Sequence, residues 1–282
     1  MLSLKRFCTC CFVSESGSRA DSHPHEDKIH NQNDITNQNE GQSLQEKKLS
    51  SKNIKEHQKL KIIIIDSQEL EVGKEYIMTS SGIKGKTQRI NDGCIYGGCD
   101  PIINDIILSE KEKGVGKRHF MIQYDKKFKN KFAIRDLGEG MGTFIRIESH
   151  LHLKSNNIIS FGDSHMIVSI DFNEGSKINL KFIDGPKVDQ KFTFTINDCP
   201  INIGRMADCS IRFDDSSMSR YHCFIGFDNA WYIQDGDGYK PSTNGTWLYG
   251  EEFVEISDQM VFKAAETLFK VIYMKIQLDG EA

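Results

Sequence analysis

Two stretches of this chain repeat one another, and that repeat limits what it can fold into more than any single motif does. Ile90-Asn91-Asp92-Gly93-Cys94-Ile95-Tyr96-Gly97-Gly98 resembles Ile196-Asn197-Asp198-Cys199-Pro200-Ile201-Asn202-Ile203-Gly204-Arg205. Further on, Lys117-Arg118-His119 matches Arg220-Tyr221-His222, and Gly142-Thr143 matches Gly245-Thr246. His119 to Gly142 spans 23 residues, and so does His222 to Gly245. Equal spacing at that distance argues for two copies of one fold. They are placed at residues 59–172 and 176–280, joined by a short linker around Asn173-Glu174-Gly175.

Each copy reads as β-structure. Ile178, Leu180 and Phe182 alternate with Asn179 and Lys181, and Phe192, Phe194 and Ile196 alternate with Thr193, Thr195 and Asn197. Met166, Val168 and Ile170 recur at the same period of two. The run Ile62-Ile63-Ile64-Ile65 is β-branched throughout and suits a strand buried on both faces. Short strands separated by Gly, Asn and Asp turns predict an all-β architecture of two sandwiches in tandem.

The remaining N-terminal part, residues 1–58, reads differently. Residues 13–58 are rich in Ser, Asn, Gln, Glu, Lys and His, and their few aliphatic residues follow no sustained period. Such a segment buries too little apolar area to offset its ordering entropy, so a disordered tail is expected. No run of about 18 apolar residues occurs, so no membrane-spanning helix is expected. A net charge of −4 gives no basic field that would favour nucleic acid. Met1 to Val13 is too short and too polar for a secretory signal, which points to an intracellular chain, cytoplasmic or nuclear, with free thiols.

The chemistry concentrates in the second copy. Gly204-Arg205, Ser219-Arg220-Tyr221-His222 and Ser242-Thr243-Asn244-Gly245-Thr246 follow one another with strand-like runs between them. Arg205 offers a planar fork of donors to a phosphate. Ser219 and Thr243 add hydroxyls, and Asn244 carries both amide donors and a carbonyl for a peptide backbone. No nucleophile, acid–base pair or metal cluster accompanies them, so an enzyme, a cofactor and a bound metal are not expected. Asp235-Gly236-Asp237-Gly238 lacks the spacing of a calcium loop.

In this order and spacing the motifs resemble the ligand loops of forkhead-associated (FHA) domains, over most of residues 176–280. The resemblance implies an eleven-stranded sandwich that presents loops at one end to a phosphothreonine peptide. It implies that Arg205 clamps the phosphate, that Ser219 and Thr243 donate to it, that Arg220 adds charge, and that Asn244 holds the peptide backbone. Gly204, His222, Gly245 and Thr246 would support the loops. The first copy keeps Gly97, His119, Gly142, Thr143 and Phe161-Gly162-Asp163 but departs from the pattern at the ligand positions. Gly98 stands where the arginine is expected, Gly116 replaces the serine, and Gly140 and Met141 replace the Thr-Asn pair, leaving Lys117 as the retained charge. It reads as a degenerate copy, kept for packing, for positioning its neighbour, or for another partner. A different phosphate geometry through Lys86, Lys117 and Arg118 is the weaker alternative.

Leu4-Lys5-Arg6-Phe7-Cys8-Thr9-Cys10-Cys11-Phe12 combines thiols, apolar residues and two positive charges, a composition suited to S-acylation and membrane association. An unmodified tail is the plain alternative, and the thiol spacing matches no common zinc site. The chain as a whole reads as a non-enzymatic phosphothreonine-binding adaptor. The competing reading is an assembly protein whose sandwiches bind partners independently of phosphorylation.

Overall fold

The computed structural model of the chain describes residues 59–83, 92–125, 131–173 and 175–274. The expected disordered tail, the cysteine cluster at Cys8, Cys10 and Cys11, and Lys86 lie outside these residues.

Among the described residues the structure is all-β, with two sandwiches and no α-helix. The first repeat supplies β1 (Lys59–Asp66), β2 (Glu75–Thr79), β3 (Gly82–Ile83), β4 (Cys94–Gly98), β5 (Ile106–Ile107), β6 (Phe120–Asp125), β7 (Lys131–Asp136), β8 (Thr143–Arg146), β9 (Leu151–His152), β10 (Ile158–Phe161) and β11 (Ser164–Asp171). The second supplies β12 (Lys177–Asp184), β13 (Lys191–Thr195), β14 (Ile201–Gly204), β15 (Ile211–Arg212), β16 (Cys223–Asp228), β17 (Ala230–Asp235), β18 (Trp247–Tyr249), β19 (Val254–Glu255), β20 (Val261–Ala264) and β21 (Thr267–Met274).

The strands do not sort by repeat. One eleven-stranded sheet runs β13-β12-β11-β10-β18-β8-β20-β21-β1-β2-β3 through both sandwiches. A five-stranded layer, β19-β7-β6-β4-β5, covers one half of it, and a second, β15-β14-β16-β17-β9, covers the other. The last three strands of each repeat therefore pack in the other repeat's sandwich. β11 pairs with β12 and β9 with β17, while β21 pairs with β1, β20 with β8 and β19 with β7.

The hydrophobic cores follow the same exchange. One holds Leu60, Ile62, Phe120 and Phe132 together with Ile256, Met260, Phe262, Phe269 and Val271. The other holds Leu153, Ile159, Phe161, Met166 and Val168 together with Leu180, Ile203, Ile225 and Trp231. Fully burying an aliphatic or phenyl side chain contributes about 1.5–3 kcal/mol. Five such residues contribute on the order of 10 kcal/mol, comparable with the whole stability of a domain. Residues 59–172 and 176–280 thus delimit the sequence repeats, whereas the packing units are β1–β8 with β19–β21, and β9–β18. The expected linker at 173–175 sits between two paired strands of one sandwich, with Asp171 opposite Lys177.

The exchange has a local cause and a permissive one. The connection from β11 to β12 is short, so pairing them as a hairpin closes a small loop at little entropic cost. The exchanged segments also carry the same alternation. Leu151, Ile158 and Ser164 recur 103 residues on as Val254, Val261 and Thr267, so each sandwich accepts either segment.

Two local expectations are corrected. Ile62 and Ile64 are fully buried, but Ile63 is half-buried and Ile65 is 38% exposed, so β1 presents one face to its core rather than two. Ile196 leaves the β13 alternation for a 3-10 turn, Ile196–Asp198, because Asp198 accepts from the backbone and hydroxyl of Thr195 at 2.7 and 2.8 Å.

Candidate functional site

The loops at one end of the second sandwich are positioned by a buried histidine and a half-buried carboxylate. His222 Nε2 lies 3.2 Å from the Gly245 carbonyl oxygen, and a ring nitrogen facing a carbonyl must donate. Burial holds the His222 imidazole below the usual histidine range, against weaker opposing pulls from Gly245 and Asp235. It is therefore a neutral donor that ties β16 to the ligand loop. Asp235, at the end of β17, gathers the same loop. Its oxygens accept from Ser242 Oγ at 2.7 Å, Ser242 N at 2.9 Å and Thr246 Oγ1 at 2.7 Å. Gly245 takes φ +76°, a region that L side chains rarely adopt, and its N–H donates to Ser242 Oγ at 2.9 Å.

On this frame the polar residues converge. Thr243 N donates to Ser219 Oγ at 3.0 Å, and Ser219 Oγ lies 3.4 Å from Thr243 Oγ1. Asn244 Nδ2 reaches the Ser217 carbonyl at 3.5 Å, and the Asn244 carbonyl accepts from Trp247 Nε1 at 3.0 Å. Arg205 N donates to the Ser219 carbonyl at 3.3 Å, which binds the Gly-Arg turn to the serine segment. Gly204 is required for this approach, since a Cβ there would stand 2.2 Å from the Arg220 carbonyl oxygen. Arg205, Arg220, Thr243 and Asn244 are exposed and Ser219 is half-buried. The arrangement brings hydroxyls, an amide and two guanidinium-bearing residues to one sandwich end. Such a set can hold an anion and the backbone beside it, and offers no group placed to attack a bond.

The corresponding end of the first sandwich has the same frame and a different surface. His119 Nε2 lies 3.0 Å from the Gly142 carbonyl, matching the His222–Gly245 tie. Backbone bonding gives the residue equivalences. His119 N donates to Gly97 O at 2.7 Å where His222 N donates to Ile203 O at 2.8 Å. Gly98 pairs with Ile107 as Gly204 pairs with Arg212. Gly98 therefore matches Gly204, and the residue in the place of Arg205 is Cys99, not Gly98. A Cβ on Gly98 would meet the Lys117 carbonyl oxygen at 2.2 Å, the same close approach seen at Gly204. The Gly97-Gly98 doublet made the one-residue slip, and only the hydrogen-bond register removes it.

The equal spacing of 23 residues also conceals two differences. Five residues separate Asp125 from Lys131, but only Asn229 separates Asp228 from Ala230. Conversely, five residues lie between Asp136 and Gly142, and nine between Asp235 and Gly245. The second repeat's ligand loop is four residues longer, and its hairpin four shorter. Sequence reading also passed over Arg146, which lies against this loop: its Nε would be 3.1 Å from a Cβ on Gly245. No signal in the second repeat could have found it, because it belongs to the first.

Two segments of the chain, residues 97–162 and 201–263, match the family model described as FHA domain. Comparison with curated proteins gave no match. The paired matches follow the two sequence repeats and their histidine-to-glycine ties, and the chain carries two FHA domains in tandem.

Proposed function

We propose that this protein is a non-enzymatic adaptor that binds phosphothreonine peptides through its second FHA domain, with the first FHA domain acting as a scaffold. FHA domains are phosphopeptide-binding modules that mediate protein interactions, and they are not an enzyme family. The observation that carries the finer reading is the convergence of Ser219, Thr243 and Asn244 beside the exposed Arg205 and Arg220. A phosphothreonine brings a charge of ≈ −1.5 to −2. Hydrogen bonds to charged groups contribute roughly 1.5–3 kcal/mol each, so three or four supply much of the ~8 kcal/mol of micromolar binding. In this reading Arg205 clamps the phosphate, Ser219 and Thr243 donate to it, Arg220 adds charge, and Asn244 holds the peptide backbone. Calorimetry on the intact chain with paired phosphorylated and unmodified threonine peptides tests it. Phosphate-dependent binding that Arg205→Ala weakens at least tenfold is expected. Equal affinities for the two peptides would favour the phosphorylation-independent assembly protein instead.

Association with membranes through acylated Cys8, Cys10 and Cys11 belongs to the same proposal, on the strength of the thiol cluster flanked by Lys5, Arg6, Phe7 and Phe12. Among the described residues no helix is long and apolar enough to cross a membrane. Fractionation of cells expressing the intact chain beside a Cys8/Cys10/Cys11→Ser variant checks this. Equal partitioning of the two, without hydroxylamine-sensitive acyl groups, would remove the anchor.

A further inference from the structure

The exchange of strands places part of the first repeat beside the ligand loops of the second. The chain leaves β8 at Arg146 and crosses into the second sandwich through Ile147 and Glu148. The longer loop after Asp235 carries Tyr239 and Lys240 out opposite this crossover, and a cleft of about 240 Å³ lies between the two. Hydrogen bonds from Tyr239 N and Lys240 N to Asp237 Oδ1, at 3.0 and 2.9 Å, shape that loop.

Arg146 lines the cleft and touches the phosphopeptide loop at once. It pairs across the sheet with Trp247, whose indole holds the Asn244 carbonyl, and it lies against Gly245. Its side chain is 30% exposed, its Cζ sits 6.0 Å from the Trp247 ring centre, and its Nε is 3.9 Å from a Glu148 carboxylate oxygen. Among the described residues that ion pair is its nearest engagement with an acceptor, beyond hydrogen-bond reach and exposed on the Glu148 side, so it is weak. The other acid of the cleft, Asp235, has both oxygens occupied by Ser242 and Thr246. A partly desolvated guanidinium with its donor fork unengaged matches a carboxylate or a phosphate. Lys240 brings a second positive charge to the facing wall.

We infer that Arg146, contributed by the first repeat, and Lys240 form a second anion-binding point beside the phosphothreonine site, reading an acidic or phosphorylated side chain of the same peptide. This rests on the reading of the second FHA domain as a phosphothreonine receptor. It makes the first repeat a contributor to peptide selectivity, although its own ligand positions are degenerate.

The test uses the intact chain and phosphothreonine peptides of otherwise neutral sequence, in which one aspartate, or one phosphoserine, is walked along the positions flanking the phosphothreonine. Wild-type protein should prefer the anion at one position by about tenfold, or ~1.4 kcal/mol. Arg146→Gln should erase that preference while phosphothreonine-dependent binding persists, and Lys240→Gln should reduce it. Arg146→Glu should turn the preference toward lysine at the same position, a gain that a misfolded variant cannot produce. A response to phosphoserine alone would identify phosphate, and not carboxylate, as the group read. Phosphothreonine binding with no positional preference for an anion, or a preference that survives Arg146→Gln, overturns the inference and leaves the proposed function standing. Absence of phosphothreonine binding in the wild type overturns both.

Discussion

The ligand ends of the two sandwiches share a frame and differ in what fills it. In the second, Ser219 and Thr243 hold one another, the Asn244 amide reaches the Ser217 carbonyl, and donors are left at the surface. In the first, backbone groups and small residues have closed the same space. Val115 and Gly140 form a β-bridge, Met141 N donates to Gly114 O at 2.7 Å, and Gly116 N donates to His119 Nδ1 at 3.0 Å. A Cβ on Gly116 would stand 2.4 Å from that of Glu139, and one on Gly114 would stand 2.2 Å from Met141 Cγ. Glu139 in turn accepts from Arg118 N at 2.8 Å. Backbone donors near the core must find partners. Where hydroxyl and amide side chains are gone, the first repeat's loops pair with each other. The histidine-to-glycine tie persists at both ends, which separates the fold's requirement from the ligand's.

The largest test of this comparison is to break the exchange. A chain ending at Gly250 loses β19–β21 and with them Ile256, Met260, Phe262, Phe269 and Val271 from the first core. That loss, on the order of 10 kcal/mol, should unfold the first sandwich. The second, complete in β9–β18, should remain folded and keep the proposed phosphothreonine binding within a few-fold. Deleting 151–171 instead should abolish binding. Two-dimensional amide NMR with the peptide titration reads both. Loss of binding on truncation at Gly250, with binding retained on deletion of 151–171, would show that each repeat closes on itself.

A sharper and smaller test asks what silences the first end. In an Arg205→Ala background, Cys99→Arg should restore no measurable phosphothreonine binding, because the loops flanking that position are already paired with each other. A tenfold gain by calorimetry would mean that a missing charge, and not closure, is the cause.

The smallest effect concerns pH. Burial lowers the His222 pKa in the folded chain below the ordinary value of 6.5, and it does the same to His165. A lowered pKa means that the unfolded chain binds protons first as pH falls. The stabilisation is therefore full above about pH 6.5 and is lost as pH drops toward the folded-state value. Asp198, Asp215 and Asp237, also lowered but from 3.8, act at more acid pH and leave this window clear. The unfolding midpoint should fall by a few degrees between neutral pH and pH 5. His222→Gln, which keeps an N–H for the Gly245 carbonyl, should flatten part of that slope. An unchanged slope would place the titration elsewhere.

Much of the architecture was legible because alternation is local. Ile178, Leu180 and Phe182 face the core as their period of two requires, and all three are fully buried. The order of the loop motifs was equally legible, since Ser219 and Thr243 are small polar residues between apolar strands. The place of Cys99 was not. Two adjacent glycines fit the pattern equally well, and register is set by bonds to strands that sequence spacing cannot locate. The outward faces of Ile63 and Ile65 were hidden for a related reason, because a run of β-branched residues carries no sign of which neighbour will cover it.

By itself the sequence determined the strands, their duplication and the chemistry of the second repeat's loops, all of which depend on residues near one another in the chain. Only the tertiary structure decided which sandwich each closing hairpin enters. Residues 151–171 and 254–274 present the same alternation, so their own preferences cannot choose between two similar cores. The choice rests on long-range pairing of β21 with β1 and on the short hairpin between β11 and β12. That choice brings Arg146 against Gly245, and so puts a residue of the first repeat at the ligand end of the second.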